Sequence, residues 1–199
     1  MKKTVIIGRP NAGKTLFMIN FAQYLGINRI YLTQEFPDGK ILNKEMSIES
    51  ARKSLSSNQE FKTQCVQKIE IKIPVYKGRK HLKLIDTSGF DDGIHPSLKV
   101  RNGIIQTLEK INEADVILHI IDISLLLNKH IISQIDRQII NFGMTKRGYT
   151  LLPNKIDLDN NKQGLKILKS EYPNRYMIPI SAKYSYGFDE VKSFVIRCI

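Results

Sequence analysis

The sequence has few cysteines and no long apolar run, and both absences narrow the class of protein. Its two cysteines, Cys65 and Cys198, lie far apart without metal-ligand spacing. Neither a disulfide framework nor a zinc site is therefore expected, and a reducing, cytoplasmic compartment fits best. The longest apolar run, 116–121, is much shorter than the roughly 18 residues that a membrane span needs. The sequence thus predicts no membrane span.

Acidic residues are scarce relative to basic ones. The chain has 31 lysines and arginines against 19 aspartates and glutamates, which gives a net charge of +12. This balance leaves room for contact with RNA, a ribosome or an anionic membrane surface. The cations are spread along the chain without an arginine-rich tract, and a lysine-favouring, AT-rich genome would produce the same charge. RNA or a ribosome is therefore one candidate partner.

What the sequence does contain is a loop of the kind that binds phosphate chains. The stretch GRPNAGKT at 8–15 matches the pattern G-x-x-x-x-G-K-S/T and lies between an apolar strand and a helical segment. Lys14 is expected to reach the β- and γ-phosphates, and the Thr15 hydroxyl to ligate Mg²⁺. The alternative is an ordinary glycine-containing turn. The other residues expected to contact the nucleotide in this loop are Asn11, Ala12, Gly13 and Leu16.

Alternating strand and helix patterns predict an α/β fold. The predicted strands are 3–8, 65–76, 81–86, 115–122, 149–153 and 176–180, and the predicted helices are 15–25, 98–111, 129–142, 163–171 and 188–198. The second and third strands are expected to form an antiparallel hairpin. We therefore predict one three-layer, doubly wound domain over 1–199, with a six-stranded, mainly parallel sheet and one antiparallel edge strand.

The segment 27–59 has no clear pattern. Pro37-Asp38-Gly39 is a turn signal, and a short helix is predicted within 43–57. The residues that would line one face of that helix are Met46, Ile48, Ala51 and Leu55. Because long loops without regular structure are commonly functional or disordered, the segment is expected to be a mobile loop or a partner-binding element.

A second phosphate-related motif, DTSG at 86–89, follows the third predicted strand. The Asp86 carboxylate can hold Mg²⁺ through water, and the Gly89 amide can donate to a γ-phosphate. By itself this pattern is usually only a turn at the end of a strand. Its position after a phosphate loop indicates a loop whose order depends on the γ-phosphate.

The motif NKID at 154–157 is the most specific signal for the base. The Asp157 carboxylate can accept hydrogen bonds from N1–H and the exocyclic amine of guanine, a pair of donors that adenine lacks. Asn154 is expected to brace the loops, and the Lys155 stem to lie along the base plane. The alternative is a solvated loop of mixed charge.

A last short motif, SAK at 181–183, again follows a predicted strand. Its three residues are Ser181, Ala182 and Lys183. The Ala182 backbone N–H is expected to lie where it can donate to the guanine carbonyl. A tripeptide carries little information alone, so its value comes from its position after the other motifs.

These four motifs, in this order, resemble the Ras-like GTPase superfamily over essentially the whole chain. The chain looks most like the Era, TrmE and Der group of translation-factor-related GTPases. This likeness is carried by the residues of the first two motifs and by the runs at 100–104 and 113–117. The resemblance implies binding of GTP and GDP with Mg²⁺. It also implies hydrolysis of GTP to GDP and phosphate, slow without a partner or cation, with Lys14 among the catalytic residues.

The sequence departs from the superfamily at the residue after Gly89. Ras-like members place a water-orienting glutamine there, whereas this chain has Phe90, which has no side-chain hydrogen-bonding group. In TrmE-like proteins, the asparagine equivalent to Asn11 helps bind a potassium ion beside the phosphates. The resemblance therefore implies potassium-stimulated hydrolysis, and the alternative for Asn11 is a loop-bracing side chain.

A second departure is the length between the first two motifs. The 72 positions from Lys14 to Asp86 exceed what the group needs, so 27–59 is interpreted as an insertion in the first switch region. The resemblance implies a threonine there that contacts Mg²⁺ and the γ-phosphate. Thr63 is the best placed, and Thr33 is the alternative.

Two histidines, His95 and His119, are candidates for a functional role. His95 lies with Asp91 and Asp92 in the second switch region implied by the resemblance, and a general-base role for it is the less favoured interpretation. His119 lies within an apolar strand and is expected to be a hydrogen-bonded core residue. Phosphoryl transfer needs positioning and charge stabilisation more than a base, which weakens both cases.

Two biological roles are compatible with these features. The first is an assembly or modification GTPase that acts on a ribosome or RNA, which the positive charge favours. The second is a regulatory module that reports its nucleotide state to a protein effector and hydrolyses little GTP. A transient homodimer is compatible with either role, whereas use of ATP is disfavoured by Asp157.

Overall fold

A seven-stranded mixed sheet forms the centre of the fold. The computed structural model describes residues 1–55, 65–75, 78–90, 98–126, 132–143 and 145–199. The strands are β1 (Lys2–Ile7), β2 (Arg29–Glu35), β3 (Ile41–Ser47), β4 (Val66–Val75), β5 (Gly78–Asp86), β6 (Val116–Asp122) and β7 (Tyr149–Asn154). The described helices are α1 (Lys14–Tyr24), α2 (Ile48–Leu55), α3 (Leu98–Asn112), α4 (Gln134–Gly143), α5 (Gln163–Glu171) and α6 (Phe188–Cys198). The strand order is β3-β2-β4-β5-β1-β6-β7.

The parallel part of the sheet is buried on both faces. Strands β5, β1, β6 and β7 run parallel to one another, and their near-continuous apolar sequences are typical of strands covered on both sides. On one face, Phe188 of α6 packs against Phe17 and Phe21 of α1, with ring centroids 5.1 and 5.5 Å apart. On the other face, Val5 and Ile117 belong to a cluster that includes residues of α3 and α4. The predicted three layers are therefore confirmed.

The prediction of six strands with one antiparallel edge strand is wrong. Strands β2 and β3 form an antiparallel hairpin that pairs with β4, and β4 is itself antiparallel to β5. The physical reason is that β2 buries Ile30 and Leu32 and pairs Leu32 with Ile69. The turn signal 37–39 is the link between the two strands. Gly39 has a positive φ of 86° there, a conformation that glycine adopts without a steric penalty.

The described part of the segment 27–59 is therefore regular structure and not a loop. The predicted short helix forms as α2, but it begins only at Ile48, because the residues before it pair with β2 as a strand. Its apolar face is as predicted at two positions, Ile48 and Ala51, which are 3% and 0% exposed. The last nine residues before Cys65 lie outside the described part.

The prediction of a full strand at 176–180 is also wrong. This segment runs beside β7 with a single bridge and two backbone hydrogen bonds, from Ile178 N to Leu151 O and from Ile180 N to Pro153 O. Pro179 lies between these two donors, and proline has no N–H to donate to a ladder.

Among the described helices, none is long and apolar enough to cross a membrane.

His119 of β6 is the hydrogen-bonded core residue that the sequence predicted. Its side chain is fully buried, with Nδ1 2.8 Å from the Tyr149 hydroxyl and Nε2 3.0 Å from Asp136 Oδ1. The other carboxylate oxygen, Asp136 Oδ2, accepts from the Ser133 hydroxyl at 2.8 Å. Each of these side chains has a hydrogen-bond partner within the network. The network thereby links β6, β7 and α4.

We expect His119→Phe to lower the free energy of unfolding by about 3 kcal/mol. The substitution leaves the 4% exposed Asp136 carboxylate with one oxygen unpaired, and an uncompensated buried acceptor or charge is costly. Urea unfolding followed by circular dichroism measures this loss. Ser133→Ala removes a more peripheral partner and should cost about 1 kcal/mol. Equal losses of about 1 kcal/mol in the free energy of unfolding of both variants would contradict this role of His119.

Candidate nucleotide-binding site

The loop between β1 and α1 has a backbone that only glycine can form at two positions. Gly8 has φ +144°, and a Cβ there would lie 2.2 Å from the Ile120 carbonyl oxygen. Gly13 has φ +101°, and a Cβ there would lie 2.4 Å from Asn154 Nδ2. Asn11 also has a positive φ, 59°, which asparagine tolerates better than most residues. The loop leads into the N-terminus of α1, where the helix dipole favours an anion.

Lys14 is a buried cation held inside this loop. Its Nζ donates to the carbonyl oxygens of Gly8 at 3.0 Å and Arg9 at 2.9 Å. Burial lowers the pKa of Lys14 to about 8, although the Asp86 carboxylate opposes that shift. A desolvated ammonium gains strongly from an anionic partner, so this position is suited to a phosphate group.

Thr15 and Asp86 form the candidate metal position beside Lys14. The Thr15 hydroxyl donates to Asp86 Oδ2 at 2.5 Å, whereas the buried Asp86 Oδ1 has no hydrogen-bond partner within the described residues. Burial raises the pKa of Asp86 to about 6, opposed by Lys14 and by the hydrogen bonds to its carboxylate. A hydroxyl and an unpartnered carboxylate oxygen match the oxygen ligands of Mg²⁺. The residues present therefore fit that ion.

The loop after β5 packs directly on the phosphate loop. A Cβ at Gly89 would lie 2.4 Å from the backbone nitrogen of Pro10, so only glycine permits this approach. The Phe90 amide donates to the Gly8 carbonyl at 3.2 Å, and its side chain is 2% exposed within the apolar cluster around Val5. The phenyl ring thus lies in the core and offers no group to a water molecule.

The switch residues are only partly described. Thr63 and the residues Asp91, Asp92 and His95 lie outside the described part of the chain. The alternative threonine, Thr33, lies in β2 and donates to Asn43 Oδ1 of β3 at 2.9 Å. Its hydroxyl is therefore engaged within the hairpin.

Asn154 connects the phosphate loop, 8–15, to the loop 181–183, which we call the base loop. Its Nδ2 donates to the Ala12 carbonyl at 2.7 Å, and its Oδ1 accepts from the Ala182 amide at 2.9 Å. This is the bracing role expected of Asn154. The Ala182 amide was expected to donate to the guanine carbonyl, but in this structure it donates to Asn154 Oδ1. On the neighbouring residue, the Ser181 hydroxyl donates to Asp157 Oδ1 at 2.6 Å and orients that carboxylate.

Asp122, which pairs with Lys155, was not predicted from the sequence. Lys155 has a positive φ of 68°, and its Nζ pairs with Asp122 Oδ2 at the end of β6. The other carboxylate oxygen of Asp122 accepts from the amide and hydroxyl of Ser124. The available signal was its position, since a carboxylate at the carboxyl end of a parallel strand lies on the ligand-binding edge of such a sheet. Lys183 is directed elsewhere, with its Nζ 4.9 Å from the centroid of the Tyr184 ring.

Among the described residues, Lys14, Thr15, Asp86, Asp122 and Asn154 therefore lie at or beside the carboxyl ends of β1, β5, β6 and β7. Residues 40–155, which are more than half of the chain, match the family of 50S ribosome-binding GTPases. The chain belongs to this GTPase family. The match contains the motifs at 86–89 and Asn154 and begins after the phosphate loop. The resemblance to the Era, TrmE and Der group is confirmed.

A curated relative of this chain is the tRNA modification GTPase MnmE of Thermotoga petrophila. It is 29% identical over 115 residues, which are 58% of this chain and 24% of MnmE. The chain thus spans about a quarter of the length of this relative.

Two Era structures share the fold of this chain. Era of Aquifex aeolicus bound to GDP and AlF4⁻ has a TM-score of 0.69 at 19% identity, over 100% of this chain and 57% of the Era chain. Era in complex with MgGDPNP and nucleotides 1506–1542 of 16S ribosomal RNA has a TM-score of 0.66 at 18% identity, over 98% of this chain and 56% of the other. At these identities the likeness establishes the fold.

Proposed function

We propose that this chain binds GTP and GDP with Mg²⁺ and hydrolyses GTP to GDP and phosphate. The observation that carries the proposal is the Asn154 side chain, which joins Ala12 of the phosphate loop to Ala182 of the base loop. These two hydrogen bonds connect the phosphate loop to the loop whose Ser181 hydroxyl contacts Asp157. The Asp157 carboxylate is suited to guanine. Membership of the GTPase family supports the same activity.

The residues of the site have separate tasks in this proposal. The Lys14 ammonium holds the β- and γ-phosphates, the Gly89 amide donates to the γ-phosphate, and Asp157 accepts from guanine. Thr15 and Asp86 hold Mg²⁺, with Thr63 as the proposed third ligand. The metal, when bound, neutralises charge on the phosphate oxygens. The chain thereby supplies positioning and charge stabilisation, which are the main requirements of phosphoryl transfer.

We further propose that a potassium ion supports hydrolysis beside Asn11. Phe90 is buried in the core and cannot orient the attacking water, so another source of charge stabilisation is needed. Asn11 is exposed on the phosphate loop, where its amide oxygen is a suitable ligand for a hard cation. The alternative is that Asn11 only stabilises the conformation of the loop.

The decisive experiment measures nucleotide turnover with Mg²⁺ in potassium and sodium buffers of equal ionic strength. We expect GTP to be hydrolysed in preference to ATP, and turnover to be about tenfold higher in potassium. Asn11→Ala should lose the difference between the two cations. Equal turnover in both buffers would contradict the potassium site, and equal turnover of ATP and GTP would contradict the guanine assignment.

We propose that the protein acts in ribosome-related or RNA-related assembly. The support comes from the net charge of +12, the family description, and relatives that modify tRNA or are bound to 16S ribosomal RNA.

Both cysteines are unpaired, which fits the reducing cytoplasm. We also propose that 1–199 is a single G domain and that 27–59 is an insertion.

The second candidate function is a regulatory module that binds a protein effector and hydrolyses little GTP. The buried Phe90 favours this function, because a residue that cannot orient the attacking water makes intrinsic hydrolysis slow. Slow hydrolysis would preserve the bound triphosphate. Addition of purified ribosomes to the turnover assay separates the two functions. Stimulation supports the assembly role, whereas tight nucleotide binding with unchanged, low turnover supports the regulatory module.

A further inference from the structure

Helix α2 brings an arginine of the proposed insertion into contact with α1. The guanidinium of Arg52 donates twice to Asn20 Oδ1, from Nε at 3.0 Å and from Nη2 at 2.8 Å, and Nη2 also donates to Gln23 Oε1 at 2.6 Å. Buried Ile48 and Ala51 anchor α2 in the same apolar cluster as α1. Because a guanidinium is planar and always charged, this contact is directional.

Asn20 passes this contact on to the base loop. It is 5% exposed, and its Nδ2 donates to the Ala182 carbonyl at 2.7 Å. The amide of the same residue, Ala182, donates to Asn154 Oδ1, and Asn154 Nδ2 donates to the Ala12 carbonyl. A continuous chain of hydrogen bonds therefore runs from Arg52 through the base loop to the phosphate loop.

The direction of the Asn20 amide depends on Arg52. An asparagine side chain has a donor end and an acceptor end, which exchange places when the amide rotates by half a turn. Arg52 has only donors, so it selects the orientation in which Oδ1 faces the guanidinium and Nδ2 faces Ala182. In the other orientation, Oδ1 would face the Ala182 carbonyl and two acceptors would oppose each other.

The peptide held in this way adjoins the residue that orients the base-recognising carboxylate. Ser181 precedes Ala182, and its hydroxyl donates to Asp157 Oδ1 at 2.6 Å. A shift of the Ala182 peptide would therefore displace the Ser181 hydroxyl and turn the carboxylate. Misalignment of a charge-assisted hydrogen bond reduces its strength steeply.

We propose that Arg52 is a positioning residue for guanine recognition. By orienting Asn20, it holds the loop 181–183 in the conformation that presents Asp157 to the base. Helix α2 thereby contributes to the discrimination of guanine from adenine without touching the nucleotide. The inference rests on the proposed function, because it requires guanine to be bound at Asp157.

The test compares the dissociation constants of GDP and ADP for the nucleotide-free, full chain with Mg²⁺. We expect Arg52→Ala to weaken GDP binding about tenfold, since a hydrogen bond to a charged group is lost from the chain that holds the base loop. ADP affinity, which depends on the phosphate loop, should change less than about twofold. Arg52→Lys, which keeps the charge and loses the planar fork, should be intermediate.

Two further variants separate positioning from charge and from folding. Lys53→Ala removes the adjacent, exposed cation of α2 and should leave the GDP to ADP preference unchanged. Asn20→Asp keeps the acceptor for Arg52 and removes the donor to Ala182, so it should reproduce the loss of preference. Thermal unfolding of each variant shows whether the domain remains folded.

Each outcome decides between the possibilities. An unchanged preference in Arg52→Ala, or equal losses of GDP and ADP affinity, would overturn the role of Arg52 while the guanine site stands. Wild-type protein that binds GDP and ADP equally would overturn the proposed function, and the role of Arg52 with it. A lower GDP preference in Arg52→Ala and Asn20→Asp, with normal Lys53→Ala, supports the inference.

Discussion

The Asp157→Asn variant is expected to lose affinity for GTP by about 100-fold and to gain affinity for xanthosine triphosphate. Guanine offers two donors, N1–H and the exocyclic amine, which an asparagine amide cannot both accept. Xanthine has a carbonyl in place of that amine, so the asparagine N–H can donate to it. A site built for one hydrogen-bonding pattern rejects the other strongly, because buried polar groups are left unpaired. Competition titrations with labelled GDP measure both affinities.

A matched control for this variant is Asp38→Asn. Asp38 is exposed in the turn between β2 and β3, where its carboxylate accepts from the Lys40 amide at 3.0 Å. The same change of charge at that position should leave both nucleotide affinities unaltered. Unchanged GTP affinity in Asp157→Asn would remove the basis for guanine recognition.

The Lys14→Ala variant is expected to lose affinity for GTP, GDP and ADP alike, by about 100-fold or more. The Lys14 ammonium is buried beside two carbonyl oxygens, and each charge-assisted hydrogen bond to a phosphate contributes about 1.5 to 3 kcal/mol. The base does not enter this contact, so the loss should be independent of the base. Isothermal titration of each nucleotide in the presence of Mg²⁺ measures it.

The nucleotide-free Lys14→Ala protein should remain folded. Burial lowers the pKa of Lys14 to about 8, which means that the charged form is disfavoured in the unliganded fold. Removal of the side chain relieves this penalty and offsets part of the loss of its two hydrogen bonds. A selective loss of guanine nucleotides alone, with ADP unaffected, would contradict the assignment of Lys14 to the phosphates.

The antiparallel half of the sheet shows why part of the fold escaped prediction. Strand β3 exposes most of its side chains, including Ile41 at 58% and Leu42 at 42%, so its sequence has no alternation of buried and exposed residues. The strand forms because β2 pairs with β4 and leaves an edge for it. Pairing between strands is a property of the assembled sheet, and β-propensity depends strongly on such context.

Contacts between distant residues were beyond prediction for a similar reason. The bonds from Arg52 to Asn20 and from Lys155 to Asp122 join residues 32 and 33 positions apart. No periodic pattern relates such positions, because a helix or strand relates only neighbours along its own length. His119 was recognisable as a core residue by its apolar surroundings, but its partners Tyr149 and Asp136 were not.

The sequence by itself determined the order of the motifs, the position of Asp157, which we propose for guanine, and the parallel, apolar half of the sheet. Each depends on residues that are close in the chain, where glycine, lysine and carboxylate spacing directly sets local geometry. Only the tertiary structure decided that 29–47 is a hairpin, that Phe90 points into the core, and that Asn20 holds the base loop. These features arise when separate elements pack together, since side-chain orientation and long-range hydrogen bonds are set by the assembled core and not by local sequence.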